Sequence, residues 1–268
     1  MSKSQDRDGS TIADFGEQWT RYTENRGYYA SLGLLADIVG PLLEVDRIRG
    51  MRVAEIGSGT GRIVNMLVEA GASEVVAIEP SDAFEVLRAN VAQHGPKIKL
   101  VRGRGESIAA ERDLDLIVCI GVLHHIEDPL PVVSAACQAL RKGGRLVVWL
   151  YGREGNRQYL ALIQPLRLVT RRLPHWALSA FCWTLTAVAD FYAAACRVAP
   201  LPLRQYMTKV YARMSRRQRH LIIYDQLNPR YARYYTKDEA AALLTAAGLI
   251  NVRVHHRHGY SWTVCGDR

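Results

Sequence analysis

Val53-Ala54-Glu55-Ile56-Gly57-Ser58-Gly59-Thr60-Gly61-Arg62 runs from an apolar strand, through a turn in which every second residue is glycine, into the start of a helix. Glycines in such a turn let the backbone bend at positive φ and let a ligand approach the peptide units closely. The spacing is G-x-G-x-G, whereas loops that seat a pyrophosphate against a helix N-terminus use G-x-G-x-x-G. Glu55, just ahead of the loop, would repel a pyrophosphate and suits a cationic ligand. A second acid, Glu79, ends the next strand, 24 residues after Glu55 and close to the spacing of a carboxylate that grips ribose hydroxyls. Together these residues predict a nucleoside ligand that lacks a pyrophosphate.

Outward from this loop, β-rich runs at Met51–Ile56, Val75–Glu79, Ile98–Arg102, Leu114–Ile120 and Arg145–Tyr151 alternate with helical stretches at Gly61–Ala70, Asp82–His94 and Leu130–Leu140. That alternation predicts an α/β domain, a parallel sheet covered by helices on both faces. Lys142-Gly143-Gly144 is expected to stop the third helix. The pattern breaks after Tyr151 and resumes where Thr236-x-x-Glu239 forms a capping box for a helix ended by Gly248. Asn251–His256 and Tyr260–Cys265, joined around His258-Gly259, predict a hairpin that adds an antiparallel strand to the far edge of the sheet. The chain thus divides into an N-terminal helical cover (1–50), a nucleoside-binding core (51–151), a helical insertion (152–235) and a C-terminal completion of the core (236–268).

The 268 residues carry a net charge of +9, and its distribution is uneven. Residues 151–235 hold 14 Lys and Arg against three acids, while the rest of the chain is nearly balanced. A basic segment points to a solvated helical face or to an anionic or lipidic substrate. Trp176–Leu201 is mostly apolar, but Asp190 and Arg197 interrupt it, so a buried or lid helix is expected rather than a transmembrane span. The N-terminal stretch has no apolar run of the signal-peptide kind, which makes the cytoplasm the expected compartment. Five scattered cysteines without a C-x-x-C pair suggest small core residues, and no metal site is expected. His255, His256 and His258 do not change this, because strand alternation separates His255 from the other two.

With these features in place, the chain resembles the class I S-adenosylmethionine-dependent methyltransferases. The resemblance rests on the glycine loop, Glu79, Gly103–Glu106, Asp115–Asp128 (DLIVCIGVLHHIED) and Leu140–Leu150 (LRKGGRLVVWL), and covers about residues 50–151. It implies a Rossmann-like seven-stranded methyltransferase fold, here with a helical insertion between strand 5 and the C-terminal helix and hairpin. It also implies S-adenosyl-L-methionine as cofactor. Glu55, Gly57, Ser58, Gly59 and Gly61 would then contact the amino-acid part, Glu79 the ribose, Gly105 and Glu106 the adenine, and Ile120 the floor beneath the methionine. The chain departs from many relatives in having Arg104 where they carry Asp near the adenine; Arg cannot accept a hydrogen bond, which leaves that contact to Glu106 or to backbone.

Methyl transfer from a sulfonium is an in-line displacement helped by positioning and, for a hydroxyl acceptor, by a base. His124 and His125 follow the fourth strand, where open α/β sheets bind ligands, and are the candidate catalytic bases. Trp149, Tyr151, Tyr224, Asp225 and Tyr235 are candidates for acceptor binding. Tyr22 and Arg26, with Trp19, Tyr28 and Tyr29, are expected to cover the cofactor, because aromatic faces attract a sulfonium. The expected activity is methyl transfer to a small-molecule or glycan-type acceptor. A lipid or isoprenoid acceptor is an alternative, as is RNA, for which Arg216-Arg217-x-Arg219 speaks, although no RNA-binding module is evident. A non-catalytic cofactor-binding protein would be expected to have lost the loop or the second acid.

Overall fold

The computed structural model describes residues 3–268, with side chains from residue 9 onward. Helix α1 (Lys3–Arg21) is followed by a 3-10 turn and by α2 (Leu32–Val39), whose N-terminus is capped by Ser31 accepting from the Leu34 N–H. The core then alternates β1 (Arg52–Ile56), α3 (Arg62–Glu69), β2 (Glu74–Glu79), α4 (Ala83–Val91), β3 (Ile98–Arg102), β4 (Leu114–Ile120), α5 (Leu130–Ala139) and β5 (Leu140–Tyr151). Four helices fill the insertion: α6 (Arg157–Thr170), α7 (His175–Val198), α8 (Arg204–Lys209) and α9 (Arg216–Leu227). Helix α10 (Lys237–Ala246), β6 (Ile250–Arg257) and β7 (Ser261–Asp267) complete the sheet, whose order is β3-β2-β1-β4-β5-β7-β6.

Parallel strands buried on both faces need apolar residues at successive positions, not alternating ones. The inner strands satisfy this. Val53, Val75, Ala77, Leu116 and Val118 enter the core beneath α2 and α3, whereas their neighbours Ala54, Val76, Ile78, Ile117 and Cys119 enter the core beneath α5 and α10. The reversal of strand order between β1 and β4 opens the crevice at the strands' C-terminal ends, and the glycine loop, the end of β2 and the His124-His125 turn all meet there.

Several expectations need correction. Lys142-Gly143-Gly144 does not stop α5. The helix already ends at Ala139, and Leu140 pairs with Leu114 at the start of β5. The two glycines form an irregularity inside the strand, where a Cβ on Gly144 would stand 2.7 Å from the Leu114 carbonyl oxygen. The hairpin joins the far edge, but the antiparallel strand is β7, lying between β5 and β6, so the outermost strand β6 runs with the rest of the sheet. His258 belongs to the turn rather than to the strand alternation. With Gly259 it adopts positive φ (49° and 74°), and the Tyr260 N–H donates to the Arg257 carbonyl. The Asp82–His94 helix is shorter than expected and gives way to a 3-10 segment at Ala92.

Candidate active site

A cavity of about 760 Å³ runs from the glycine loop, past the ends of β4 and β5, into the insertion. At its first end, Gly57, Gly59 and Gly61 have φ of 77°, 51° and 81°. A Cβ on Gly57 would stand 2.3 Å from Val122 Cγ2, so packing as well as φ excludes other residues there. Glu79 is buried and holds the loop in shape: Oε2 accepts from the Gly59 N–H at 2.8 Å, and Oε1 accepts from the Ser81 N–H at 3.0 Å and hydroxyl at 2.5 Å. Glu55, also buried, lines the cavity with Oε2 lacking a hydrogen-bond partner. Burial pushes its carboxyl up to about 8, opposed by the Arg62 guanidinium.

Helix α1 covers this end. Thr11, Phe15 and Trp19 follow one another at helical spacing along the cavity, and the Trp19 indole lies 3.5 Å from where a Cβ of Gly59 would be. The loop is tied down further by Asn25, which donates to the Thr60 carbonyl at 2.9 Å and accepts from the Thr60 hydroxyl at 2.8 Å. Tyr29 lies under the Arg62 guanidinium, 4.3 Å from ring centroid to Cζ.

In the middle of the cavity stands His125. Its Nδ1 is 2.8 Å from the Tyr231 carbonyl oxygen and can only donate to it, which leaves Nε2 as the unprotonated nitrogen of the neutral ring. Burial holds the ring well below the usual histidine range, to about 3. Phe15 and Tyr151 flank it at centroid distances of 4.7 and 5.6 Å. Beyond it, Gln226 organises three phenols: its Nε2 donates to Tyr151 Oη at 2.7 Å, and its Oε1 accepts from Tyr159 at 2.9 Å and Tyr234 at 3.4 Å. The buried Arg167 donates to the Gln226 carbonyl and to Tyr234 Oη, fixing this cluster from behind. Asp225 accepts from Gln18 Nε2 at 2.9 Å, and burial raises its carboxyl above the ordinary range.

Of the residues singled out in the sequence, Glu55, Gly57, Ser58, Gly59, Glu79, Gly105, Glu106, Ile120, His125, Trp149, Tyr151 and Asp225 line this one cavity, as does Arg104. Six do not. His124 is fully buried behind the wall, stacked on Tyr151 at 3.7 Å, with neither ring nitrogen hydrogen-bonded. Gly61 turns toward Leu87 and Val91. Tyr22 follows the end of α1 and packs among His175, His220 and Tyr224, which also accounts for Tyr224. Arg26 is exposed, and its carbonyl accepts from Gln218. Tyr235 is paired with Gly152 in an extended segment, so alternation sends it into the core and its neighbour Tyr234 into the cavity.

Gln226 and Tyr234 fall in the polar and aromatic stretches 224–231 and 234–235, whose density suits a substrate lid, whereas Tyr159, Phe15 and Arg167 carry no such mark in the sequence. The period-3.6 spacing of Thr11, Phe15, Gln18 and Trp19 was available as a signal for α1. Nothing local marks Arg167, whose partners are 59 and 67 residues away.

The sheet order, the glycine loop, the ribose-spaced acid and a neutral imidazole at the end of β4 define a Rossmann-like fold with a cradle for a nucleoside-type ligand at its crevice. Residues 54–148 match the family described as "Methyltransferase domain". A ubiquinone biosynthesis O-methyltransferase of Vibrio campbellii is 27% identical over 178 residues, covering 65% of this chain and 75% of that one. One of Vibrio parahaemolyticus is 27% identical over 150 residues, and there the match spans 54% of this chain and 64% of the relative's length. Among solved structures, the pyocyanin biosynthetic protein PhzM aligns with TM-score 0.52 at 16% identity, covering 88% of this chain and 55% of that one. A putative O-methyltransferase of Nostoc punctiforme aligns with TM-score 0.52 at 13% identity, covering 95% and 60%. The matched segment, residues 54–148, is thus similar to a methyltransferase domain, and the sheet around it has the Rossmann-like fold of the solved methyltransferases. The cradle fits that family's cofactor: Glu55 keeps a buried carboxylate oxygen free for a cationic group, and the loop leaves Glu79 facing the cavity.

Proposed function

We propose that this chain methylates a hydroxyl oxygen of a small, planar, partly apolar acceptor, with His125 taking the hydroxyl proton. The observation that carries the reading is the fixed tautomer of His125, a cavity-lining ring whose Nδ1 is committed to the Tyr231 carbonyl and whose Nε2 is left unprotonated. S-adenosylmethionine, when bound, supplies the electrophilic methyl group. The residues around it bind, orient and exclude water: Glu79 and Glu55 receive the cofactor, Phe15, Trp149 and Tyr151 form flat apolar walls for the acceptor, and α1 closes the site. Because burial keeps His125 neutral, it enters each turnover ready to accept a proton. The acceptor oxygen becomes steadily more acidic as its new bond forms, so a weakly basic ring suffices. The names of the Vibrio relatives, O-methyltransferases of a biosynthetic route, support a small-molecule hydroxyl.

An apolar or amphipathic acceptor is favoured by the far end of the cavity, which Leu162, Leu185, Val188, Tyr192 and Leu203 line. RNA is disfavoured, because Arg217 pairs with Glu24, Arg219 pairs with Asp190 and Arg216 sits over Trp183. The test is calorimetric titration with S-adenosylmethionine, with NAD as control, on the wild-type protein and Glu79→Ala. Binding that collapses in the variant, followed by label transfer to hydroxyl compounds that drops about 10²–10⁴-fold in His125→Gln, is the expected result. A well-folded protein that binds no S-adenosylmethionine would remove the reading.

A further inference from the structure

We propose that the insertion docks on the surface of an anionic lipid bilayer, with the outer face of α7 lying in the interface and the cavity mouth turned toward the membrane. Only the entry of an acceptor through that mouth rests on the methyltransferase reading. Docking itself does not.

Helix α7 has two faces. One is buried, through Leu178, Cys182, Thr186, Ala193 and Cys196. The other presents Trp176, Trp183, Val188, Phe191 and Val198 to solvent, with Trp176 75% and Phe191 79% exposed. Between Arg172 and Arg197 the only charged residue is Asp190, which turns away to pair with Arg219 at 3.0 Å and to accept from Tyr211 Oη. At 1.5 Å per residue this gives an apolar stripe on the order of 30 Å long. A stripe of that size calls for a partner.

Charge says which partner. Arg171 and Arg172 stand at the start of the stripe, Arg197 at its end, and Arg216 over Trp183. All four are exposed, and none forms an ion pair among the described residues. Apolar residues ringed by arginines, with Trp among them, match an anionic lipid interface. A second copy packed face to face would bring the same unpaired arginines together. Crossing the bilayer, for which α7 is long and apolar enough, would strip it from the bundle and carry the Asp190–Arg219 pair into hydrocarbon.

The cavity supplies an independent observation. Leu162 on α6 and Val188 on α7 line it while remaining 69% and 61% exposed, so its mouth opens beside the apolar stripe. From there it continues past Tyr159 and Tyr151 to His125. A lipid-tailed acceptor can therefore enter from the bilayer with its polar head leading to the base.

The experiment is flotation of the full chain with vesicles of phosphatidylcholine alone and with phosphatidylglycerol added. Alongside it, tryptophan emission is recorded for the wild type and Trp176→Phe. The expected result is at least about tenfold stronger partition onto the anionic vesicles, weakened by salt and by Arg171→Gln/Arg172→Gln, with a blue shift that Trp176→Phe diminishes. Trp176→Glu/Phe191→Glu should abolish flotation while S-adenosylmethionine binding, read by calorimetry, is unchanged. No flotation, flotation indifferent to the charge of the vesicle or to the double glutamate variant, or a dimer in solution that this variant dissociates would each overturn the proposal. Flotation without cofactor binding would leave docking standing and remove the enzymatic reading instead.

Discussion

His124 and His125 are adjacent, buried and neutral, yet only one faces the cavity. His124 stacks on Tyr151 with both nitrogens unsatisfied, and burial, reinforced by His125 and Arg167, holds it well below the usual histidine range. Its folded-state affinity for protons is thus lower than its unfolded one. Stability is complete above about pH 6.5 and is lost as pH falls, because the unfolded chain takes up protons the fold refuses. His124→Phe keeps the stacking and removes the polar atoms; melting curves should show a smaller loss between pH 8 and pH 5 than in wild type, with near-equal stability at pH 8. Glu55 has the opposite sign. Its carboxyl, raised to about 8, favours the protonated fold, so cofactor-free stability declines as pH rises from about 4.5 through 8. Binding a cationic ligand should ionise it. Calorimetry near pH 7 in buffers of different ionisation enthalpy should then reveal release of up to about one proton, absent in Glu55→Gln; identical proton counts for both proteins would exclude the role.

Among the elements, the loop and α10 show how far local sequence reaches. The capping box at Thr236 and Glu239 forms with both bonds in place, at 3.2 and 2.8 Å. Thr236→Ala should cost about 1 kcal/mol in denaturant unfolding without touching cofactor affinity. Gly57→Ala should do more harm, since its Cβ meets Val122 in a left-handed conformation; about 2 kcal/mol and most of the cofactor affinity should go. Calorimetry on the soluble variant checks this. These features were legible because each is a spacing of two to four residues with one physical meaning. The five core strands were legible for the same reason, being apolar runs between breakers. The acceptor end was not. Gln226, Tyr159 and Arg167 meet only because α6 and α9 pack together, and an extended segment's alternation decides between Tyr234 and Tyr235, a parity that the residues themselves do not disclose.

Across the whole molecule, α1 joins what the chain order separates. Its Trp19 sits on the glycine loop, while Gln18 bonds Asp225 and Asn228 of the insertion, and Asp14 pairs with Arg230. Ligand binding at the loop should therefore be felt in α9. At a ligand concentration a hundred times Kd, linkage stabilises a single-site protein by about 2.7 kcal/mol. That energy can slow local opening of α9 only if α1 transmits it. Hydrogen exchange with and without S-adenosylhomocysteine measures this directly: Arg216–Leu227 should exchange more slowly when the ligand is bound. Gln18→Ala combined with Asp14→Ala cuts these side-chain bridges without touching the loop. It should abolish that protection while leaving protection of the loop itself intact. If α9 is protected equally in the variant, the two halves of the cavity communicate through the sheet rather than through α1, and closure over the site is a property of the core alone.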